Sequence, residues 1–208
     1  EACLVGAPYA NKSHYQFVAP IVKSGFGAEP RYNAGMGASK RILETERLYF
    51  RRPEPGDLDA LAALYADPEI RRYFPEGTLS RAETREELEW FLNGHPEHPE
   101  LGLWATIHKP TGQFIGRCGL LPWVIDGVNE VEIAYLIAKP WQRRGLGAEA
   151  ARALVRHGFE TLGLKRLIAL IDPAHTASIR TAESAGLRSE KDVVMEGVGS
   201  AVYALERA

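Results

Sequence analysis

Cysteine is scarce in this sequence: Cys3 and Cys118 are the only two among its 208 residues. Two cysteines cannot form the network of disulfides that holds small secreted domains together, and they are too few for a four-ligand zinc site. Cys118 lies in an apolar run, so we expect a buried, unreactive side chain. The scarcity of cysteine therefore favours a chain that works in the reducing cytoplasm.

Long apolar runs and an excess of positive charge are also missing. No stretch of the sequence approaches the ~20 apolar residues that a membrane-spanning helix needs. The 25 basic and 27 acidic residues give a formal net charge of −2, so the composition indicates no basic surface for nucleic acid. We therefore expect neither a membrane nor a nucleic acid as the main partner.

Two familiar nucleotide-binding motifs are absent. No glycine-rich loop ends in the Gly-Lys-Ser/Thr of a P-loop, and no Gly-x-Gly-x-x-Gly marks a dinucleotide site. Metal ligands at a suitable spacing are missing too, because His95 and His98 have no further ligands nearby and are expected to lie in a solvated loop. These absences set aside both nucleotide-binding classes and predict no metal site.

Local patterns divide the chain near residue 40. Residues 1–40 contain scattered Gly, Pro, Asn and Ser, and neither a helical nor an alternating apolar pattern persists there. We expect an N-terminal extension, either poorly ordered or packed as an arm. Residues 41–208 carry regular patterns and are expected to form one domain, for which their length is sufficient.

The second part alternates between the periods of strands and helices. Its predicted elements are strand 48–51, a helix capped by Asp57 that closes before Pro68, a helix opened by the capping box Ser80–Glu83, hairpin strands 101–108 and 113–121, strand 131–138, helix 145–162, strand 167–171, helix 177–185, and strands 193–195 and 201–205. This order predicts an α/β fold with a mixed, mostly antiparallel central sheet flanked by helices.

The segment with the clearest chemical signal is Gln-Arg-Arg-Gly-Leu-Gly at residues 142–147, between a predicted strand and a predicted helix. Its two glycines allow several backbone N–H groups to point inward together, and the helix adds its free N-terminal donors. Arg143 and Arg144 bring positive charge to the same place. Such a loop suits a pyrophosphate that is held but not cleaved, although a tight structural turn with surface arginines is an alternative.

The same segment resembles the Gln/Arg-x-x-Gly-x-Gly/Ala signature of the GCN5-related N-acetyltransferase family. The resemblance extends from about Leu43 to Leu205. Residues 45–52 (Thr-Glu-Arg-Leu, then Arg-Arg), 130–137 and 177–187 resemble the branch that acetylates the N-termini of ribosomal proteins.

This resemblance implies acetyl-CoA as the donor and a primary amine as the acceptor, without a metal. It also implies that backbone groups near Ile137 and Ala138 pair with the pantetheine arm. The pyrophosphate would be held by the amides of the loop and of the helix start, at Gln142, Arg143, Arg144, Gly145, Leu146, Gly147 and Ala148.

Glu132 is the best candidate for a catalytic base. It is a carboxylate within an otherwise apolar strand, and burial would raise its pKa toward the useful range. Alternatively, Glu132 hydrogen-bonds a loop or faces solvent. Glu130 shares the same face of the strand by period two and is the rival candidate.

The sequence departs from the family pattern on the late helix. His175 stands where many members have Asn, and Ala182 stands where a Tyr protonates the leaving thiolate. Ser178 is a candidate replacement donor, or a plain residue at the start of the helix. His175 is expected to cap that helix or to contact the pantetheine arm, and a role as proton carrier is the less favoured reading.

The acceptor is the least determined part of the prediction. A peptide or protein N-terminus or a small-molecule amine is expected first, while the acidic segment 83–89 leaves an aminoglycoside-type antibiotic as an alternative. The replaced helix residues leave a third reading, a coenzyme-A-binding sensor without activity. A homodimer through edge strands or through the late hairpin is compatible with the sequence but is not indicated by it.

Overall fold

The computed structural model describes residues 4–5, 41–92, 94–95, 98–195 and 197–207, and arranges them as a sheet with helices on both faces. The strands are Leu4–Val5 (β1), Arg41–Glu44 (β2), Leu48–Arg51 (β3), Gly102–His108 (β4), Gln113–Ile125 (β5), Val128–Ile137 (β6), Arg166–Ile171 (β7), Arg188–Met195 (β8) and Val198–Glu206 (β9). The α-helices are Leu58–Tyr65 (α1), Pro68–Arg71 (α2), Arg81–Phe91 (α3), Leu146–Arg156 (α4) and Thr176–Ser184 (α5). Among these residues, no helix has the length and apolar character that crossing a bilayer requires.

Hydrogen bonding sets the strand order β2-β3-β4-β5-β6-β7-β9-β8, and β1 pairs with β6 outside that path. Paired strands in the described part of the sheet run antiparallel, except that β6 and β7 are parallel. Parallel neighbours need a crossover, and here α4 supplies it. The mixed, mostly antiparallel sheet expected from the sequence is therefore confirmed.

Alternation along β6 sends successive side chains to opposite faces of the sheet. Ile133 and Tyr135 join the core that α4 and α5 cover. Ala134 and Leu136 join the cores beneath α1 and α3. All four side chains are fully buried, so β6 is the central strand of the fold.

Three local features differ from the expectations drawn from the sequence. Arg41–Glu44 forms an edge strand that was not predicted, because it is short and charged at both ends. The helix expected to close before Pro68 does so, since α1 ends at Tyr65, but Pro68 opens the short helix α2, which was not predicted. Proline suits the first helical position, and Asp67 caps α2 by accepting from Glu69 N. Asp57 makes no side-chain cap on α1; its carboxylate binds the guanidinium of Arg51 at 2.7 Å.

The expected N-terminal extension falls mostly outside the described residues. Within it, the two-residue strand β1 pairs antiparallel with β6, Leu4 with Leu136 and Val5 with Tyr135. The division of the chain near residue 40 remains a prediction.

The close approach of β4 and β5 gives a stability prediction. A Cβ atom on Gly119 of β5 would lie 1.9 Å from the carbonyl oxygen of Gly102, whereas a Cβ on Gly56 would meet nothing within 4 Å. Gly119→Ala is expected to lower the free energy of unfolding by about 1–3 kcal/mol through overpacking. Urea titration of both variants checks this, and equal midpoints for Gly119→Ala and Gly56→Ala would contradict it.

Candidate cofactor and catalytic site

The loop after β6 has a backbone shaped for an anion. A 3-10 turn at Lys139–Trp141 leads into it, and two of its residues, Arg143 (φ 61°) and Gly145 (φ 76°), are left-handed. A left-handed arginine costs about 1 kcal/mol, so the surroundings must impose this turn. Gly145 is also the N-cap of α4 and has no side chain to receive the first helical N–H groups. An anion would supply the missing acceptor.

The residues predicted for the phosphates fall together around this turn. Gln142 anchors the N-terminal end of the turn, because the Gln142 Nε2 donates to the carbonyl oxygen of Ile137 at 2.7 Å. Arg143 and Arg144 are exposed, and the Arg144 guanidinium lies 5.1 Å from the centre of the Trp141 ring. The predicted residues in the first turn of α4 are Leu146, Gly147 and Ala148.

The two residues predicted to pair with pantetheine face different neighbours. The Ala138 N–H donates to the carbonyl oxygen of Ile115 on β5 at 2.7 Å. Because backbone groups alternate along a strand, Ile137 presents its N–H and C=O to the opposite side, toward β7. There β6 and β7 share one register pair, Glu132 with Ile168, and beyond it the β6 edge pairs with β1. The geometry thus favours Ile137 over Ala138 for this role.

An open cavity of about 240 Å³ lies between α2, the loop and the start of α5. Gln142, Tyr73 and His175 line it, and the Tyr73 and His175 rings stack with their centres 4.1 Å apart. His175 is buried and caps α5, since its Nδ1 accepts from the Ser178 N–H at 3.4 Å. The expected helix cap is confirmed, and it lies beside the loop.

Glu132 is completely buried on the face of β6 that α1 and α3 cover. Its Oε2 accepts from the indole N–H of Trp123 at 2.7 Å, while its Oε1 has no hydrogen-bond partner within the described part of the chain. Burial raises the pKa of Glu132 to about 7, against the opposing effects of Trp123, the Leu170 N–H and the Arg117 charge. A carboxyl with that pKa and one unused oxygen can take a proton near neutral pH.

The rival carboxylate is already engaged. Both oxygens of Glu130 accept from Nε of Arg166 at 3.1 Å, and Arg166 also pairs with Glu190 and Glu206. Glu130 is thus part of an ion-pair cluster at the ends of the late strands. Of the two carboxylates on this face, Glu132 is the one available for chemistry.

Ser178 lies on the other side of β6 from Glu132. It is buried at the start of α5, where the Tyr135 hydroxyl donates to its carbonyl oxygen at 3.1 Å and lies 3.3 Å from its Oγ. The two candidate catalytic residues therefore flank the β6 edge from opposite faces. Sequence patterns did not reveal Tyr135 or Trp123 as their partners, because those contacts depend on strand pairing.

The histidines after α3 are not in a solvated loop, which corrects the expectation from the sequence. His95 is fully buried and His98 nearly so, with ring centres 5.4 Å apart. Burial, together with the nearby His98, lowers the pKa of His95 to about 4. No cluster of three metal-ligating side chains occurs in the described ranges.

The sequence is similar to that of known proteins. A family model described as the acetyltransferase (GNAT) domain matches residues 47–188. The chain is 34% identical over 166 residues to the uncharacterized protein YkkB of Bacillus subtilis, covering 79% of this chain and 95% of YkkB.

Two solved structures share the fold. A GNAT-family acetyltransferase from Bacillus anthracis superposes with a TM-score of 0.68 at 23% identity, over 78% of this chain and 96% of that one. RimL, a ribosomal L7/L12 alpha-N-protein acetyltransferase solved with coenzyme A, gives a TM-score of 0.65 at 17% identity, over 80% and 98%.

The family match spans most of the chain and includes β6, the loop and α5. The residues that it covers are therefore those that form the buried carboxyl and the left-handed turn. The chain belongs to the GNAT family of acetyltransferases.

Proposed function

We propose that the protein is an N-acetyltransferase that moves the acetyl group of acetyl-CoA directly to a primary amine. The observation that supports this most is the position of Glu132, a fully buried carboxyl with an unused oxygen. It lies on the strand that runs into the anion-binding turn. A proton acceptor and a phosphate-binding loop on one strand are what such a transfer requires.

In this proposal the diphosphate of acetyl-CoA accepts hydrogen bonds from the amides between Gln142 and Ala148. The pantetheine arm runs along the β6 edge at Ile137 and lies near His175. RimL, which shares the fold, was solved with coenzyme A, and this supports the choice of donor. That edge is the one with which Leu4–Val5 pairs, so this segment and the pantetheine arm would exclude each other.

In this mechanism one proton transfer takes place on each face of β6. Glu132 Oε1 takes a proton from the acceptor ammonium, directly or through one water, and the neutral amine attacks the thioester carbonyl. A C–N bond forms and the C–S bond breaks. The leaving thiolate takes a proton from the Ser178 hydroxyl, which regains one through water from the positively charged nitrogen as that nitrogen becomes the neutral amide. Because Tyr135 donates its own proton to the Ser178 carbonyl, it orients Ser178 for this step.

For the acceptor we propose a peptide or protein N-terminus or a small-molecule amine. The acidic segment 83–89 offers less to a polycation than its sequence suggested. Glu83 closes the capping box of α3, and Glu87 accepts from the Tyr65 hydroxyl. We place the reaction in the cytoplasm, in keeping with the free thiol of Cys118. Experiment decides whether the acceptor is an aminoglycoside, whether the protein is a CoA-binding sensor, and whether it forms a homodimer.

Replacing the carboxyl tests the proposal. Glu132→Gln is expected to lower kcat/KM by roughly 10²–10⁴-fold, because the variant cannot accept the proton. In the parent protein, kcat/KM should rise with pH through about 7, the pKa of Glu132. Release of free thiol from acetyl-CoA over a panel of peptides and small amines measures both. A Glu132→Gln variant with the activity and pH profile of the parent would rule out Glu132 as the base. A parent protein that binds acetyl-CoA but releases no thiol with any amine would favour a coenzyme-A-binding sensor instead of an enzyme.

The same carboxyl predicts a pH effect on stability that needs no substrate. The pKa of Glu132 is about 7 in the folded protein and 4.5 as the ordinary value, so the native state holds the proton longer than the unfolded state. The free energy of unfolding should therefore fall between about pH 4.5 and 7 and then level off. Urea titrations across this range should show a smaller decline for Glu132→Gln, and parallel curves would contradict the raised pKa.

Removing the serine hydroxyl tests the second proton. Ser178→Ala is expected to lower kcat about tenfold or more while leaving acetyl-CoA affinity within about twofold, because only proton donation is lost. Ser184→Ala is the matched control, since Ser184 is exposed on the same helix. Equal kcat values for the two variants would remove Ser178 from the mechanism.

A further inference from the structure

An acidic side chain lies where the proposed site must receive a diphosphate. Glu149 is in the first turn of α4, directly after the anion-binding turn. Burial raises the pKa of its carboxyl, but hydrogen bonds from Thr45 and Arg47 outweigh this and hold the pKa below its usual value. An ionised carboxylate here would repel a bound diphosphate unless another group neutralised it.

Arg47 and Thr45 engage both oxygens of that carboxylate. Glu149 Oε1 accepts from the Thr45 hydroxyl at 2.5 Å and from the Arg47 backbone N–H at 2.9 Å. Its Oε2 accepts from Arg47 Nε at 2.6 Å and lies 2.6 Å from Nη2. The charge of Glu149 is thus paired with the Arg47 guanidinium.

The same guanidinium also holds the turn itself. Arg47 Nη1 donates to the carbonyl oxygen of Arg144 at 2.9 Å, and its Nη2 would lie 3.5 Å from a Cβ atom on Gly145. Arg47 is fixed in turn by the bend between β2 and β3, where the Thr45 N–H donates to Leu48 O at 2.9 Å. One side chain therefore links the first hairpin, the left-handed turn and the start of α4.

We propose that Arg47 is a positioning residue for the diphosphate: it fixes the Arg144 carbonyl so that the turn keeps its left-handed form, and it neutralises Glu149. This rests on the coenzyme A site proposed above. Arg47 itself needs no contact with the phosphates, since both of its effects reach them through other groups.

Calorimetric titration of coenzyme A into the full chain tests the proposal. Arg47→Ala is expected to raise Kd about tenfold or more, because a charge-assisted hydrogen bond and the neutralising charge are both lost. Arg47→Ala combined with Glu149→Gln should recover part of that loss, since no unpaired carboxylate then faces the diphosphate. Arg41→Ala is the matched control: Arg41 is exposed and pairs with Glu44 at 2.6 Å in the same hairpin, and its loss should change Kd less than twofold.

A donor without phosphates separates positioning from general damage. With S-acetylpantetheine as donor and a suitable amine, kcat/KM of Arg47→Ala should equal that of the parent, because the turn then holds no diphosphate. A loss as large as that with acetyl-CoA, or a Kd for coenzyme A like that of Arg41→Ala, would overturn the proposal.

Two further measurements separate a folding defect of the variant from the absence of a coenzyme A site in the parent. If Arg47→Ala fails to unfold cooperatively, Arg47→Lys takes its place; it keeps the charge but cannot span Glu149 and Arg144 together, and Kd should still rise several-fold. An unchanged Kd for folded Arg47→Lys would contradict the positioning role. A parent protein that does not bind coenzyme A would instead refute the proposed function.

Discussion

Strands β6 and β7 share a single register pair, Glu132 with Ile168, and the parting of these strands governs the rest of the site. At that pair the two strands are hydrogen-bonded neighbours in the sheet. Beyond it, the edge of this central strand pairs instead with the short segment Leu4–Val5, which comes from the distant N-terminal part of the same chain. An extended ligand with amide groups can use the same backbone donors and acceptors.

The parting also explains why one strand serves several chemical purposes. Alternation places Glu132 on the α1 and α3 face and Tyr135, with Ser178 beside it, on the opposite face. The strand then ends in the left-handed turn at 142–147. The proposed base, a hydroxyl pair and the proposed anion site thus follow one another along a rigid element. A site on a central strand is held in place more firmly than one built on loops alone.

Much of this arrangement was visible in the sequence, because it depends on local patterns. The glycines at 145 and 147 marked the turn, and period two placed Glu130 and Glu132 on one face. Sequence ranked Glu132 first but could not set Glu130 aside, since Arg166, which engages Glu130, is 36 residues away and reaches it only through strand pairing. Long-range packing likewise buried His95, which looked like a loop residue. The edge strand Arg41–Glu44 went unpredicted because charged, half-exposed residues carry little apolar signal.

Binding of the donor at the turn is the central claim, and calorimetric titration of acetyl-CoA into the parent and Gly145→Glu tests it most directly. The new carboxylate would lie at the N-terminus of α4 and repel the diphosphate. Gly163→Glu is the control, because Gly163 has a similar backbone (φ 68° against 76°) and open surroundings at the other end of the helix. The account predicts micromolar binding by the parent and by Gly163→Glu, lost in a folded Gly145→Glu. Equal binding by all three, or none by the parent, would contradict it.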